Sequence, residues 1–210
     1  MSGAVYCADE KLLLVADLHL EQGASLARRG LHVPPYDTRT TLAMLESVLQ
    51  ETGARRLILL GDSFHDSVAH DDVTDQDAGR LRRITQAIDT IWISGNHDPQ
   101  AHDVLGGSCV DEVTIGDITL RHIPSRLRTG EMEIAGHLHP GASIVQRGSH
   151  VRAKCFVADQ TRLILPAFGS YTGAMNVRTA AFNGLFDTDA AQVWMIGRNA
   201  IHNFPWGRLA

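Results

Sequence analysis

The stretch Leu12-Leu13-Leu14-Val15-Ala16-Asp17-Leu18-His19 sets the fold class. A continuous apolar run of strand length that stops at a carboxylate predicts a buried parallel strand delivering Asp17 at its carboxyl end. The same grammar recurs twice. Arg55 to Leu60 runs into GDSFHD (Gly61 to Asp66), and Thr90 to Ser94 runs into GNHD (Gly95 to Asp98). Between these strands, Leu42, Leu45, Val48 and Leu49 repeat at helical spacing after Pro34 and Pro35 and stop at Gly53, and Leu81, Ile84 and Ile88 mark a second helix. Strand, polar motif and helix in alternation predict parallel βαβ units, whose ligand-binding residues gather at the carboxyl ends of the strands.

Beyond Ser108 the pattern turns mostly β, with short runs at Val110 to Ile115, Ile118 to Arg121, Glu133 to Ala135, Ser143 to Gln146 and Leu163 to Leu165. No linker or repeat interrupts the chain. The expected architecture is therefore α/β, two packed mixed β-sheets flanked by helices, formed by one domain spanning 1–210.

With 210 residues, 44% hydrophobic and 20% charged, the chain can bury a core without disulfides or structural metal. Cys7, Cys109 and Cys155 lack metal-ligand spacing and are expected to be reduced, mostly buried thiols. The run Leu12 to Ala16 is too short for a signal-peptide core or a membrane span, so a cytoplasmic protein without membrane association is expected. A net charge of −5 weighs against a nonspecific nucleic-acid binder, although acidic residues that ligate cations leave the balance and the pairs Arg28–Arg29, Arg55–Arg56 and Arg82–Arg83 remain for phosphates.

The polar residues at the strand ends are Asp17, His19, Asp62, Asn96, His97, Asp98, His122, His137 and His139. Carboxylate, amide oxygen and imidazole together suit borderline divalent ions, and the reading favours manganese over iron or zinc. In an extended backbone, Asp17 and His19 turn toward one point, as do His137 and His139 in GHLHP.

Taken in order, Asp-x-His, Gly-Asp-x-x-His, Gly-Asn-His-Asp, a separate His and Gly-His-x-His resemble the calcineurin-like metallophosphoesterase superfamily and its four-layer sandwich. The separate histidine usually follows Gly; here His122, chosen by position, follows Arg121. The resemblance implies Asp17, His19 and His139 on one metal ion, Asn96, His122 and His137 on a second, and Asp62 bridging them. It leaves His97 to protonate the leaving oxygen, with Asp98 orienting its ring. Two cations roughly 3.5 to 4 Å apart would activate a bridging hydroxide and clamp the reacting oxygens.

Across nearly the whole chain, DLHLE, ARRG, PPYDT, GDSFHD, GNHD, GHLHP and LPAFGSYTG look like the bacterial ligase-associated DNA damage response endonuclease group. That resemblance implies Mn²⁺-dependent DNA cleavage in repair, beside a DNA ligase and an exonuclease. A phosphodiesterase for small diesters and a silent metal-binding scaffold are the competing readings, and a homodimer is compatible with the sequence.

Several residues stay open. His65 either buttresses a loop or contacts substrate, and Asp66 caps a helix or joins the site. Arg126 is the preferred phosphate-binding arginine. LPAFGSYTG lacks the pattern of a nucleotide loop and reads as a core-packing turn. His32, His70, His102, His150 and His202 have no motif around them.

Overall fold

The computed structural model describes residues 2–97, 105–146 and 148–210. Asp98 and His102 lie outside them. The chain opens with β1 (Val5–Cys7), β2 (Leu12–Val15), α1 (Gln22–Arg28), α2 (Asp37–Thr52), β3 (Arg56–Leu60), α3 (Asp75–Ala87), β4 (Asp89–Ile93) and β5 (Ser108–Val110). These strands form one sheet in the order β1-β2-β3-β4-β5, parallel from β2 onward with β1 antiparallel at the edge.

The helices form where local chemistry starts and stops them. The α2 helix carries Asp37 in its first turn and ends at Gly53, whose φ of 63° supplies the left-handed cap as its N–H bonds the Leu49 carbonyl. In α3, Thr74 Oγ1 accepts from the Asp77 N–H at 3.2 Å.

The second half supplies β6 (Glu112–Ile115), β7 (Ile118–Arg121), β8 (Met132–Ala135), β9 (Pro140–Gln146), β10 (Ser149–Ala158), β11 (Arg162–Ile164), β12 (Met175–Asn176), β13 (Gln192–Ile196) and β14 (Ile201–Pro205). They build a second mixed sheet in the order β12-β9-β10-β11-β8-β7-β6, with β13 and β14 attached through β10. The run Val110 to Ile115, expected as one strand, divides at Asp111: its beginning completes the first sheet beside β4, and the rest pairs with β7 in the second. Residue patterning alone cannot distinguish a strand from two strands that change sheets.

Period-two alternation shows how the layers pack. Leu13 and Val15, with Leu57 and Leu59, face Leu42, Leu45, Leu81 and Ile84 of the helices. Leu12, Leu14, Ile58 and Leu60 face the opposite way and meet Leu120, Phe156 and Leu165 between the sheets. The far face of the second sheet is covered by short 3₁₀ turns and loops carrying Phe182, Phe186, Trp206 and Leu209. Thus the three α-helices among the described residues lie in the first half of the chain. No helix among the described residues is long and apolar enough to cross a membrane.

The cysteine expectation needs correction: Cys7 and Cys109 are exposed, because both sit on edge strands, and only Cys155 is buried. Burial pushes the Cys155 thiol up to about 12. Two thiols should therefore react with a disulfide reagent in the native protein, and the third only after denaturant is added. A third rapid equivalent under native conditions would contradict this packing.

Candidate metal centre

The ends of β2, β3 and β4 and the turn after β8 converge on one edge, where two groups of side chains face each other. Asp17, His19 and His139 form one cluster and Asp62, His122 and His137 the other; within each, one ligand atom per residue lies within 4.8 Å of the rest. Asp62 stands between them, its Oδ1 3.3 Å from His122 Nε2 and its Oδ2 3.8 Å from His19 Nε2. Asn96 joins the second cluster, with Oδ1 2.9 Å from His122 Nε2.

The convergence arises differently from the sequence expectation. Asp17, His19, Asp62, His137 and His139 are not extended: all five have positive φ, between 44° and 69°, among seven such non-glycine residues in the described chain. Left-handed backbone costs a non-glycine residue on the order of 1–3 kcal/mol and persists only where surroundings enforce it. The enforcing bonds are visible. The Asp17 carboxylate accepts the His137 N–H at 3.0 and 3.1 Å, the His19 N–H bonds the Asp62 carbonyl at 2.9 Å, and the Asp17 N–H bonds the Gly61 carbonyl at 3.2 Å. Gly61 itself, at φ 76°, has no room for a side chain, since a Cβ would lie 2.4 Å from the His122 ring.

The donor chemistry fits divalent cations. His122 Nδ1 lies 2.9 Å from the Leu60 carbonyl, which only accepts, so Nδ1 carries a proton and Nε2 is the nitrogen turned inward, a ligand atom once a cation displaces its proton. Around Nε2 stand Asn96 Oδ1, Asp62 Oδ1 and His137 Nδ1, the last at 3.2 Å. In the other cluster His19 Nε2 and His139 Nε2 are 3.2 Å apart, and Asp17 Oδ1 is 3.4 Å from His139 Nε2. With the inward ring nitrogens deprotonated, every one of these atoms is an acceptor, and divalent cations among them would take the place of the lost protons.

Titration behaviour follows from the same crowding. Burial, then the charge of His139, lowers the His19 pKa to about 3. For Asp62 burial acts upward, but the hydrogen bond and charge of His122 and the His97 N–H outweigh it and hold the carboxyl at about 2. His122 is raised despite burial because Asp62 and Asp17 attract its proton.

His97 is placed outside the two clusters and exposed. Its backbone N–H donates to Asp62 Oδ1 at 2.9 Å, and its Nδ1 lies 2.8 Å from the His65 carbonyl, which therefore receives the Nδ1 proton. Nε2 is left directed toward the centre, 3.9 Å from Asp62 Oδ2. The His65 main chain is thus an orienter of His97 that residue types could not disclose, and the His65 ring stacks on His97 with centroids 5.8 Å apart. Asp66 accepts the Val68 N–H and pairs with Arg28, which also reaches Asp72, so Arg28 is engaged in tying α1 to the loop after β3.

Arg126 is not brought to the clusters. It lines, with Arg162, Asp159 and Asp187, a cavity of about 790 Å³ in which no residue of the two clusters takes part. A smaller groove of about 300 Å³ touches the centre directly at Asn96 and His122 and is lined by Arg121, whose guanidinium is paired with Glu112 and Glu133.

Neither protein-family models nor curated proteins gave a match to this sequence. Among solved structures, the chain is similar to the nuclease MPE of Pseudomonas putida, with a TM-score of 0.74 and 30% identity over 96% of this chain and 92% of that one. It also aligns with YfcE, a phosphoesterase from E. coli, at a TM-score of 0.47 and 14% identity over 92% and 98% of the respective chains.

Proposed function

The chain belongs to the metallophosphoesterase superfamily and is a metal-dependent phosphoesterase; from that premise we propose that it is a two-metal phosphodiesterase acting on DNA, with manganese as the preferred ion. The observation that carries the reading is the paired clusters of Asp17, His19, His139 and Asp62, His122, His137, with Asp62 between them. Support for DNA comes from the likeness to a nuclease over nearly the whole chain. A repair setting beside a DNA ligase and an exonuclease, with DNA the macromolecule bound, follows as part of the same proposal from the motif blocks DLHLE through LPAFGSYTG.

Bound in these clusters, two divalent cations would supply Lewis acidity and a water acidic enough to attack phosphorus at neutral pH. The chain's own residues do the rest. Asp17, His19 and His139 would hold one ion, Asn96, His122 and His137 the other, and Asp62 both. His97, its ring fixed by the His65 carbonyl, presents Nε2, 3.9 Å from Asp62 Oδ2, as the proton donor to the leaving oxygen.

The reading is tested by Mn²⁺-dependent hydrolysis of bis-p-nitrophenyl phosphate and of a structured DNA oligonucleotide, compared with His97→Ala. General acids contribute roughly 10²–10⁴-fold. The variant should lose that much on DNA, whose alkoxide leaving group needs a proton, and distinctly less on the nitrophenyl ester. Equal turnover of DNA by both proteins would remove His97 from the mechanism. The net charge of −5 favours the second reading, a phosphodiesterase for small diesters; cleavage of the nitrophenyl ester but not of DNA would select it.

A further inference from the structure

We propose that Lys154 is a positioning residue for the metal centre: by holding the segment 167–169 it fixes the turn that presents Asp17 and His19. The inference rests on the two-cation reading above.

Lys154 lies in β10, in the second sheet, whereas Asp17 follows β2 in the first. Its Nζ donates to the Ala167 and Gly169 carbonyls, each at 2.8 Å. The same segment then reaches across to the turn: the Phe168 N–H donates to the Ala16 carbonyl at 2.8 Å and the Gly169 N–H to the Asp17 carbonyl at 3.1 Å. A continuous hydrogen-bonded path therefore runs from one ammonium in the second sheet to the backbone of a ligand in the first.

The approach is close enough to require glycine. A Cβ on Gly169 would lie 2.3 Å from the Leu18 carbonyl oxygen, so any side chain there would push the segment off the turn between Asp17 and His19. Asp17 and His19 both hold left-handed backbone, which relaxes unless neighbours enforce it. Burial lowers the Lys154 pKa to about 8; the neutral amine still carries the two N–H donors that the carbonyls need. Even half-burying a lysine is costly, and a fully exposed residue would serve if only sheet packing were required. LPAFGSYTG is thus more than a core-packing turn: its middle is the strap between Lys154 and Asp17.

The path acts first on one of the two clusters. Ala16 and Asp17 receive it directly, whereas the second cluster is coupled to it at one remove, through the His137 N–H on the Asp17 carboxylate, and His122 is held separately by the Leu60 carbonyl. Losing residues that orient ligands typically costs 10–100-fold in metal affinity. Lys154→Met should therefore weaken one of two Mn²⁺ equivalents by roughly 10–100-fold and the other distinctly less. The equivalent affected should be the one that His139→Ala removes.

The experiment is calorimetric titration of metal-stripped wild type, Lys154→Met, Lys154→Gln and His139→Ala with MnCl₂, checked by the spin-resonance signal of free Mn²⁺. Lys154→Gln, which keeps an N–H donor, should fall between wild type and Met, and it serves alone if the Met variant does not fold. Two unchanged equivalents, equal weakening of both, or tighter binding would each overturn the proposal, the last because the lysine charge rather than its anchoring would then dominate. Fewer than two equivalents on the wild-type chain would overturn the two-cation reading, and this proposal with it.

Discussion

Asp62→Ala should reduce Mn²⁺-dependent hydrolysis of bis-p-nitrophenyl phosphate by about 10³-fold or more and abolish tight binding of both metal equivalents. The magnitude follows from losing several kcal/mol of metal-derived stabilisation, each ~1.4 kcal/mol being tenfold in rate. Asp62 is chosen over the other ligands because its two oxygens face different clusters, Oδ1 toward His122 and Oδ2 toward His19. Its loss also frees the His97 N–H, which Oδ1 accepts at 2.9 Å, so the proposed acid and both ions are disturbed by one change. Steady-state kinetics and metal content measured on the same preparation decide the matter. A variant that keeps both ions and loses under tenfold in rate would show that Asp62 is not shared.

Glu133→Ala should produce the largest loss of stability, about 3–5 kcal/mol, the range for removing one partner of a buried ion pair. Glu133 is 1% exposed, and its carboxylate accepts from Arg162 Nε at 2.6 Å, the Ser125 N–H at 3.2 Å and Ser125 Oγ at 2.9 Å, with Arg121 Nε a further 3.5 Å away. Arg162, also buried, bonds in addition the carbonyls of Leu185 and Ser125. Removing the carboxylate strands a buried guanidinium and releases the segment just after His122. At about 2–4 °C per kcal/mol for a chain of this length, thermal melting should move down by roughly 6–20 °C. Converting both Glu133 and Arg162 to Met should cost less than Glu133→Ala alone, because no uncompensated charge is left. Circular dichroism melts of the three proteins test this, and a single variant melting within a degree of wild type would show the pair to be dispensable.

Much of this was legible in the residues. Leu12 to Ala16, Arg55 to Leu60 and Thr90 to Ser94 are buried strands because uninterrupted apolar runs have few other soluble uses, and Gly53 ended its helix as glycine usually does. Asp17, His19, Asp62, Asn96, His122, His137 and His139 could be nominated because carboxylates and imidazoles at successive strand ends must share an edge. Other features were not legible. Exposure of Cys7 and Cys109 depends on which strands lie at a sheet edge, and Glu133 reads as an ordinary strand residue until Arg162 is brought opposite it.

The division has a physical basis. Local pattern reports what a residue type prefers, so the amino-acid sequence by itself determined the βαβ half, the edge on which the chemistry collects and the residues able to hold divalent cations. The tertiary structure alone decided how those residues converge. Five of them adopt left-handed backbone that none would choose in isolation, and the bonds that enforce it join positions far apart in the chain, such as the His19 N–H on the Asp62 carbonyl, the His137 N–H on the Asp17 carboxylate and the segment Lys154 holds beneath Asp17. Such strain is a property of the assembled neighbours, and no local preference encodes it.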